Sequence, residues 1–143
     1  MNEKQKKQMA VMTDAVQPHC DENIIAAITC SHGGTIARTL IAKIFLGGFG
    51  ASWGTSGLPN PVFIAVGKKN VYAFSYKPRG FKFKIKKEVA RWPKNELRVE
   101  TDMTGKMYKF KLSTPSDESY SLEIPVMFGG RELAQFFLDS LKG

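Results

Sequence analysis

The chain has 143 residues, 43% of them hydrophobic and 24% charged, with a net charge of +8. That length suits one domain with its own core, and that composition excludes wholesale disorder. Two cysteines make no disulfide framework, Met1 to Gln17 is polar and lysine-rich with no secretory h-region, and the most apolar stretch, Ile36 to Ala51, is broken by Arg38, Lys43 and three glycines, so the reading is a soluble cytoplasmic protein.

In chain order, residues 3–17 read as a helix with Met9, Met12 and Val16 on one side, stopped by Pro18. Ile24–Cys30 reads as a strand. Ser31 to Pro61 holds 7 of the 13 glycines: Gly33-Gly34-Thr35 first, then a short predicted helix from Ile36 to Leu46, then a Gly/Ser-rich loop. From residue 62 the pattern is almost all strand. Val62–Val66 and Val71–Tyr76 are β-branched and aromatic around a turn at Gly67-Lys68-Lys69-Asn70. Lys77-Pro78-Arg79-Gly80 reads as the next turn, leading into a strand over 81–92 that Pro93 stops. Strands over 96–102, 107–113 and 119–124 follow, separated by Thr104-Gly105 and Thr114-Pro115-Ser116-Asp117. Arg131–Lys142 is an amphipathic helix carrying Leu133, Phe136, Phe137 and Leu141.

Seven strands in up-and-down order with a closing helix make an economical small barrel, the helix covering one open end. That order, the strand Pro61-Val62-Phe63-Ile64-Ala65-Val66 followed by Lys69-Asn70-Val71-Tyr72-Ala73-Phe74, and the Gly-rich helical insert resemble bacterial PH-like (pleckstrin-homology superfold) proteins of unassigned function. The resemblance covers roughly residues 22–142 and implies a bent seven-stranded antiparallel barrel capped by a C-terminal α-helix. It divides the chain into an N-terminal helical extension, 1–20, and a PH-like domain, 21–143, with a helical insert between the first two strands.

Charge is distributed unevenly. Residues 77–111 hold 12 of the 21 Lys/Arg and 4 of the 13 Asp/Glu, which accounts for the whole net charge. Within them Phe81-Lys82-Phe83-Lys84-Ile85-Lys86 alternates apolar and basic, the pattern of a strand with one wet face. If the strands at 81–92, 96–102 and 107–113 are neighbours, Arg98, Glu100 and Asp102 lie between a row of Lys82, Lys84 and Lys86 and a row of Lys109 and Lys111. Such a surface is partly self-paired and retains some attraction for anions. The aromatic residues alternate away from the lysines, leaving no stacking platform for single-stranded nucleic acid, so a nucleic-acid partner is not expected.

Other constellations carry less. His19, Cys20, Cys30 and His32 have zinc-ligand chemistry but neither the C-x₂₋₄-C nor the H-x₃₋₅-H spacing, and no metal or cofactor is expected. Gly33-Gly34-Thr35 before a helix would offer N–H groups to a small anion or nucleotide, with Arg38 one turn in, yet no phosphate-loop motif accompanies it. The Gly48–Gly54 run lacks kinase catalytic motifs, and His32 beside Gly33-Gly34 lacks a nucleophile elbow, so no enzyme is expected. Ile36 to Trp53 sets apolar groups beside Arg38 and Lys43, suiting a lipid interface, a subunit contact or packing on the barrel. In the PH superfold many lipid-binding members carry a basic cluster in this loop; here only two separated cations stand.

The reading is a non-catalytic binding module whose partner is a protein or an anionic membrane surface, with Arg38, Lys43, Trp53, Lys82, Lys84 and Lys86 as candidate contacts. The alternatives are a homo-oligomeric structural protein using residues 36–53 and a small-anion binder at Gly33-Gly34-Thr35.

Overall fold

A computed structural model describes residues 2–32, 61–79, 82–102, 107–114, 119–125 and 130–143. The elements are α1 (Glu3–Val16), β1 (Ile24–His32), β2 (Val62–Gly67), β3 (Asn70–Arg79), β4 (Lys82–Pro93), β5 (Arg98–Asp102), β6 (Met107–Ser113), β7 (Ser119–Pro125) and α2 (Gly130–Lys142). Short 3₁₀ turns stand at Gln17–His19 and Lys94–Glu96. The fold is mainly β, with seven antiparallel strands hydrogen-bonded in the order β4-β3-β2-β1-β7-β6-β5. The expected helical insert and the Gly33-Gly34-Thr35 anion site lie outside the described residues.

β1 joins the two halves of this order. Its residues 24–30 pair with β2, and Ser31 and His32 pair with β7. β2 is buried along its whole length, which its unbroken Val62-Phe63-Ile64-Ala65-Val66 run requires of a strand covered on both faces. On one face Trp92 of β4 meets Tyr120 of β7, with ring centroids 5.6 Å apart. On the other, α1 packs against β1 and β4.

The α1 helix starts where Asn2 Oδ1 accepts the Gln5 N–H at 2.8 Å and Gln5 Oε1 accepts the Asn2 N–H at 2.9 Å, a reciprocal cap. Met9, Met12 and Val16 are buried, as the spacing predicts, and belong to the same core as the strands. The Ala27 N–H points away from β2, and the sulfur of Met9 accepts it at 3.5 Å. Helix α2 buries Leu133, Ala134, Phe137, Leu138 and Leu141, with Phe137 edge-on to Phe110 at 5.9 Å. The two helices touch where Gln5 Nε2 donates to Glu132 Oε2 at 2.9 Å.

Two expectations change. Lys77-Pro78-Arg79 is not a turn: β3 runs through it, with Lys77 opposite Lys84, Pro78 opposite Phe83 and Arg79 opposite Lys82. Proline fits there because β2–β3 pairing ends at Phe63 and Phe74, so Pro78 needs no N–H for a β2 partner. The second change is that β4 and β5 are not neighbours. They end opposite sides of the strand order, because the Lys94–Glu96 turn redirects the chain instead of closing a hairpin.

Candidate functional site

The separation of β4 from β5 redistributes the charge. On β5–β6, Glu100 opposes Lys111 and Asp102 opposes Lys109, and across the next pair Lys109 opposes the buried Glu123 of β7. Lys109 therefore stands between two acids and Lys111 between Glu100 and Ser121, in place of the expected acid row between lysines. Those cations are matched locally.

The β4 lysines are not matched in this way. Beyond Phe74, β3 and β4 continue as a two-stranded ribbon, and residues directly opposed in an antiparallel pair share a face. Lys77 and Lys84 thus face the same way, directly across from each other, and both are exposed. Lys87, opposite Ser75, continues the same face. The next pair toward the tip is Arg79 with Lys82. β4 carries two extra residues relative to β3: Val89, between the partners of Ala73 and Phe74, and Lys86, between the partners of Ser75 and Tyr76. The second bulge sets Lys86 and Lys87 side by side in sequence, both exposed.

The other face of the ribbon is apolar. Tyr76, Phe83 and Phe63 meet edge to face, with centroid separations of 5.2 to 5.6 Å. Ile85 is buried beside them, and the Tyr76 hydroxyl bonds that of Thr29. Phe83 of the alternating segment is thus spent on packing, and Lys84 and Lys77 stand on the reverse of a packed aromatic cluster.

Of the candidate contacts, Lys84 and Lys86 lie on this ribbon and Lys82 takes the register position opposite Arg79. Arg38, Lys43 and Trp53 lie outside the described residues. Sequence reasoning missed Lys77 and Lys87. Lys77 was hidden by the turn signature of Pro78, and Lys87 by a bulge that shifts the alternation by one.

A second polar cluster stands at the opposite end of the sheet, around an open cleft of about 330 Å³ lined by Asp21, Glu22, Asn23, Lys68, Lys69 and Asn70. Glu22 Oε1 accepts the Lys69 N–H at 2.9 Å, and Oε2 accepts the Asn70 N–H at 3.0 Å and Asn70 Nδ2 at 3.1 Å. The Tyr72 hydroxyl lies 2.9 Å from Glu22 Oε2 and 2.8 Å from Asp21 Oδ1 and, with one proton, donates to one at a time. Arg91 donates to Asp21 at 3.0 Å and to Glu88 at 2.9 Å, with its guanidinium 4.8 Å from the centre of the Tyr72 ring.

The electrostatics follow from these partners. Burial would lift the Glu22 pKa, but the Lys69, Tyr72 and Asn70 donors hold it below the ordinary carboxylate range. Hydrogen bonds from Tyr72 and Arg91 lower Asp21 likewise. Burial, with the two carboxylates behind it, raises the Tyr72 phenol. Glu88 and Asp21 raise Arg91 against the opposing effect of its burial. The carboxylates are occupied in fastening the chain before β1 to the β2–β3 turn, which makes this cluster a structural staple.

His19 is exposed and edge-on to Phe74 at 6.1 Å, Cys20 is half-buried and Cys30 is buried. Among the described residues no group of three His, Cys, Asp or Glu side chains is placed to hold a metal ion. No described helix is long and apolar enough to cross a membrane. Comparison with known proteins finds no family model that matches the chain and no curated protein that matches it.

Proposed function

We propose that this chain is a PH-like, non-catalytic binding module that holds an anionic partner on the β3–β4 ribbon. The strand order, the joining of two antiparallel halves through β1 and the closing helix α2 support a PH-like bent barrel. The observation that carries the function is Lys77 standing directly opposite Lys84. Like charges directly across a strand pair are unfavourable, and no ion pair with a described acid relieves these two. A surface that keeps such a pair exposed, with Lys86 and Lys87 adjoining, attracts a polyanion. The fixed engagement of Asp21 and Glu22 supports a non-catalytic role, because the carboxylates of the cleft are engaged by internal donors.

Retention on a heparin column in a salt gradient tests this. A Lys77→Ala/Lys84→Ala variant should elute at clearly lower salt than the parent, and Lys109→Ala, which lies between Asp102 and Glu123, should elute near it. Equal shifts for both variants would mean that the ribbon is no special site.

A further inference from the structure

Accepting the anionic-partner reading above, we infer that the partner is the headgroup plane of an acidic lipid bilayer, engaged by Lys77, Lys84, Lys86 and Lys87 without strand pairing or a shaped pocket. Three features of the ribbon select this partner over other polyanions.

The first is the edge. β4 ends the strand order, so an acidic peptide would bind there by adding a strand, and strand addition needs an unbroken ladder. β4 is bulged at Lys86 and Val89, and its exposed residues include Lys84, Lys86 and Lys87, the combination that discourages edge pairing. The second is the distribution of the cations. Lys77, Lys84 and Lys87 share a face and Lys86 sits in the bulge, so the charges keep no fixed two-residue repeat. Long flexible stems at irregular spacing suit a plane of mobile headgroups, which demands no register. The third is that, among the described residues from Ser75 to Lys87, no aromatic ring shares the face of the lysines. Tyr76 and Phe83 are turned to the other side, in contact with Phe63, so neither offers a stacking surface to the bases of a single-stranded nucleic acid.

Surface potential adds attraction for each basic residue near an acidic leaflet, about fivefold in partitioning per lysine. Co-sedimentation of the full chain with vesicles of phosphatidylcholine alone and with phosphatidylglycerol added is the test, with thermal melting to show that each variant is folded. Binding should require phosphatidylglycerol and fade with added salt. Lys84→Ala should weaken it about fivefold and Lys77→Ala/Lys84→Ala about 25-fold, with Lys109→Ala near the parent. Equal partitioning into both vesicles, alongside heparin retention that depends on Lys77 and Lys84, would overturn the lipid partner and leave the anion reading standing. Loss of both responses would overturn both. Tight binding of duplex DNA or an acidic peptide without vesicle binding would likewise replace the membrane as partner.

Discussion

The Glu22 carboxylate lies so close to Gly67 that a β-carbon at Gly67 would meet its carboxyl carbon at 2.4 Å. The end of a long side chain ordinarily swings aside, but this one accepts from Lys69, from Asn70 twice and from Tyr72. Making room for a methyl therefore breaks the staple and leaves partly buried donors unpaired. Gly67→Ala is expected to cost about 1–3 kcal/mol in urea denaturation. In a Gly67→Ala/Glu22→Ala double variant the two losses should be clearly less than additive, since both remove one set of bonds. Full additivity would show that the close approach has no bearing on the staple.

The same staple sets an acid limit. Glu22 and Asp21 both titrate below their ordinary values when folded, so their stabilisation is complete above the unfolded carboxylate range and is lost as pH falls through the folded values. The urea midpoint should be flat above about pH 5 and fall steadily below about pH 4. Glu22→Gln should start lower at neutral pH and fall less steeply. A parallel pair of curves would place the acid sensitivity elsewhere.

Opposite signs are expected for one substitution on two lysine rows. Lys84→Glu converts a cross-strand repulsion with Lys77 into an attraction, and should stabilise the fold by about 0.2–1 kcal/mol. Lys111→Glu places an acid opposite Glu100 and should destabilise it by a similar amount. Two thermal melts decide the matter, and a loss in both would mean that the β3–β4 register differs. A lysine whose removal raises stability while lowering anion binding is kept for its partner, which a purely structural lysine is not.

What could be read in advance was local. The i, i+3, i+7 spacing of Met9, Met12 and Val16 marked the buried side of α1, and the Tyr108, Phe110, Leu112 alternation marked the core face of β6. The pairing order was beyond it, because whether the residues after Pro93 fold back on β4 or turn away is decided by packing far along the chain. The β4 alternation also breaks at Lys86, where an inserted residue costs nothing that a periodic pattern records. Glu22 was invisible for a related reason. Its partners Lys69, Asn70 and Tyr72 lie 47 to 50 residues away in sequence, and a carboxylate before a strand carries no sign of them.

Met9 offers a case where shape and chemistry separate. Leucine matches methionine in size, and such swaps in a core usually cost less than about 1.5 kcal/mol. Leucine has no acceptor for the Ala27 N–H that Met9 Sδ now receives, so Met9→Leu should cost about 1–3 kcal/mol. Met12→Leu, at a site where no such bond exists among the described residues, should stay within the smaller range. Faster hydrogen exchange at Ala27 in Met9→Leu alone would tie the difference to that bond.

The two thiols should be separable by their settings. Cys30 is 1% exposed in β1 and burial raises its pKa, so native protein should leave it unalkylated. Cys20 is half-buried, and burial with Glu88 beside it pushes its pKa up to about 11. At pH 8 its thiolate is then about one part in a thousand, against about a quarter for a free cysteine. Iodoacetamide should therefore label Cys20 hundreds of times more slowly than a free thiol, and Cys30 only once urea opens the sheet. Mass-spectrometric counting of labels across the urea transition reads both at once. Native labelling of Cys30 at the Cys20 rate would mean that β1 opens on its own, and the joint between the two halves of the sheet would then be its weakest strand.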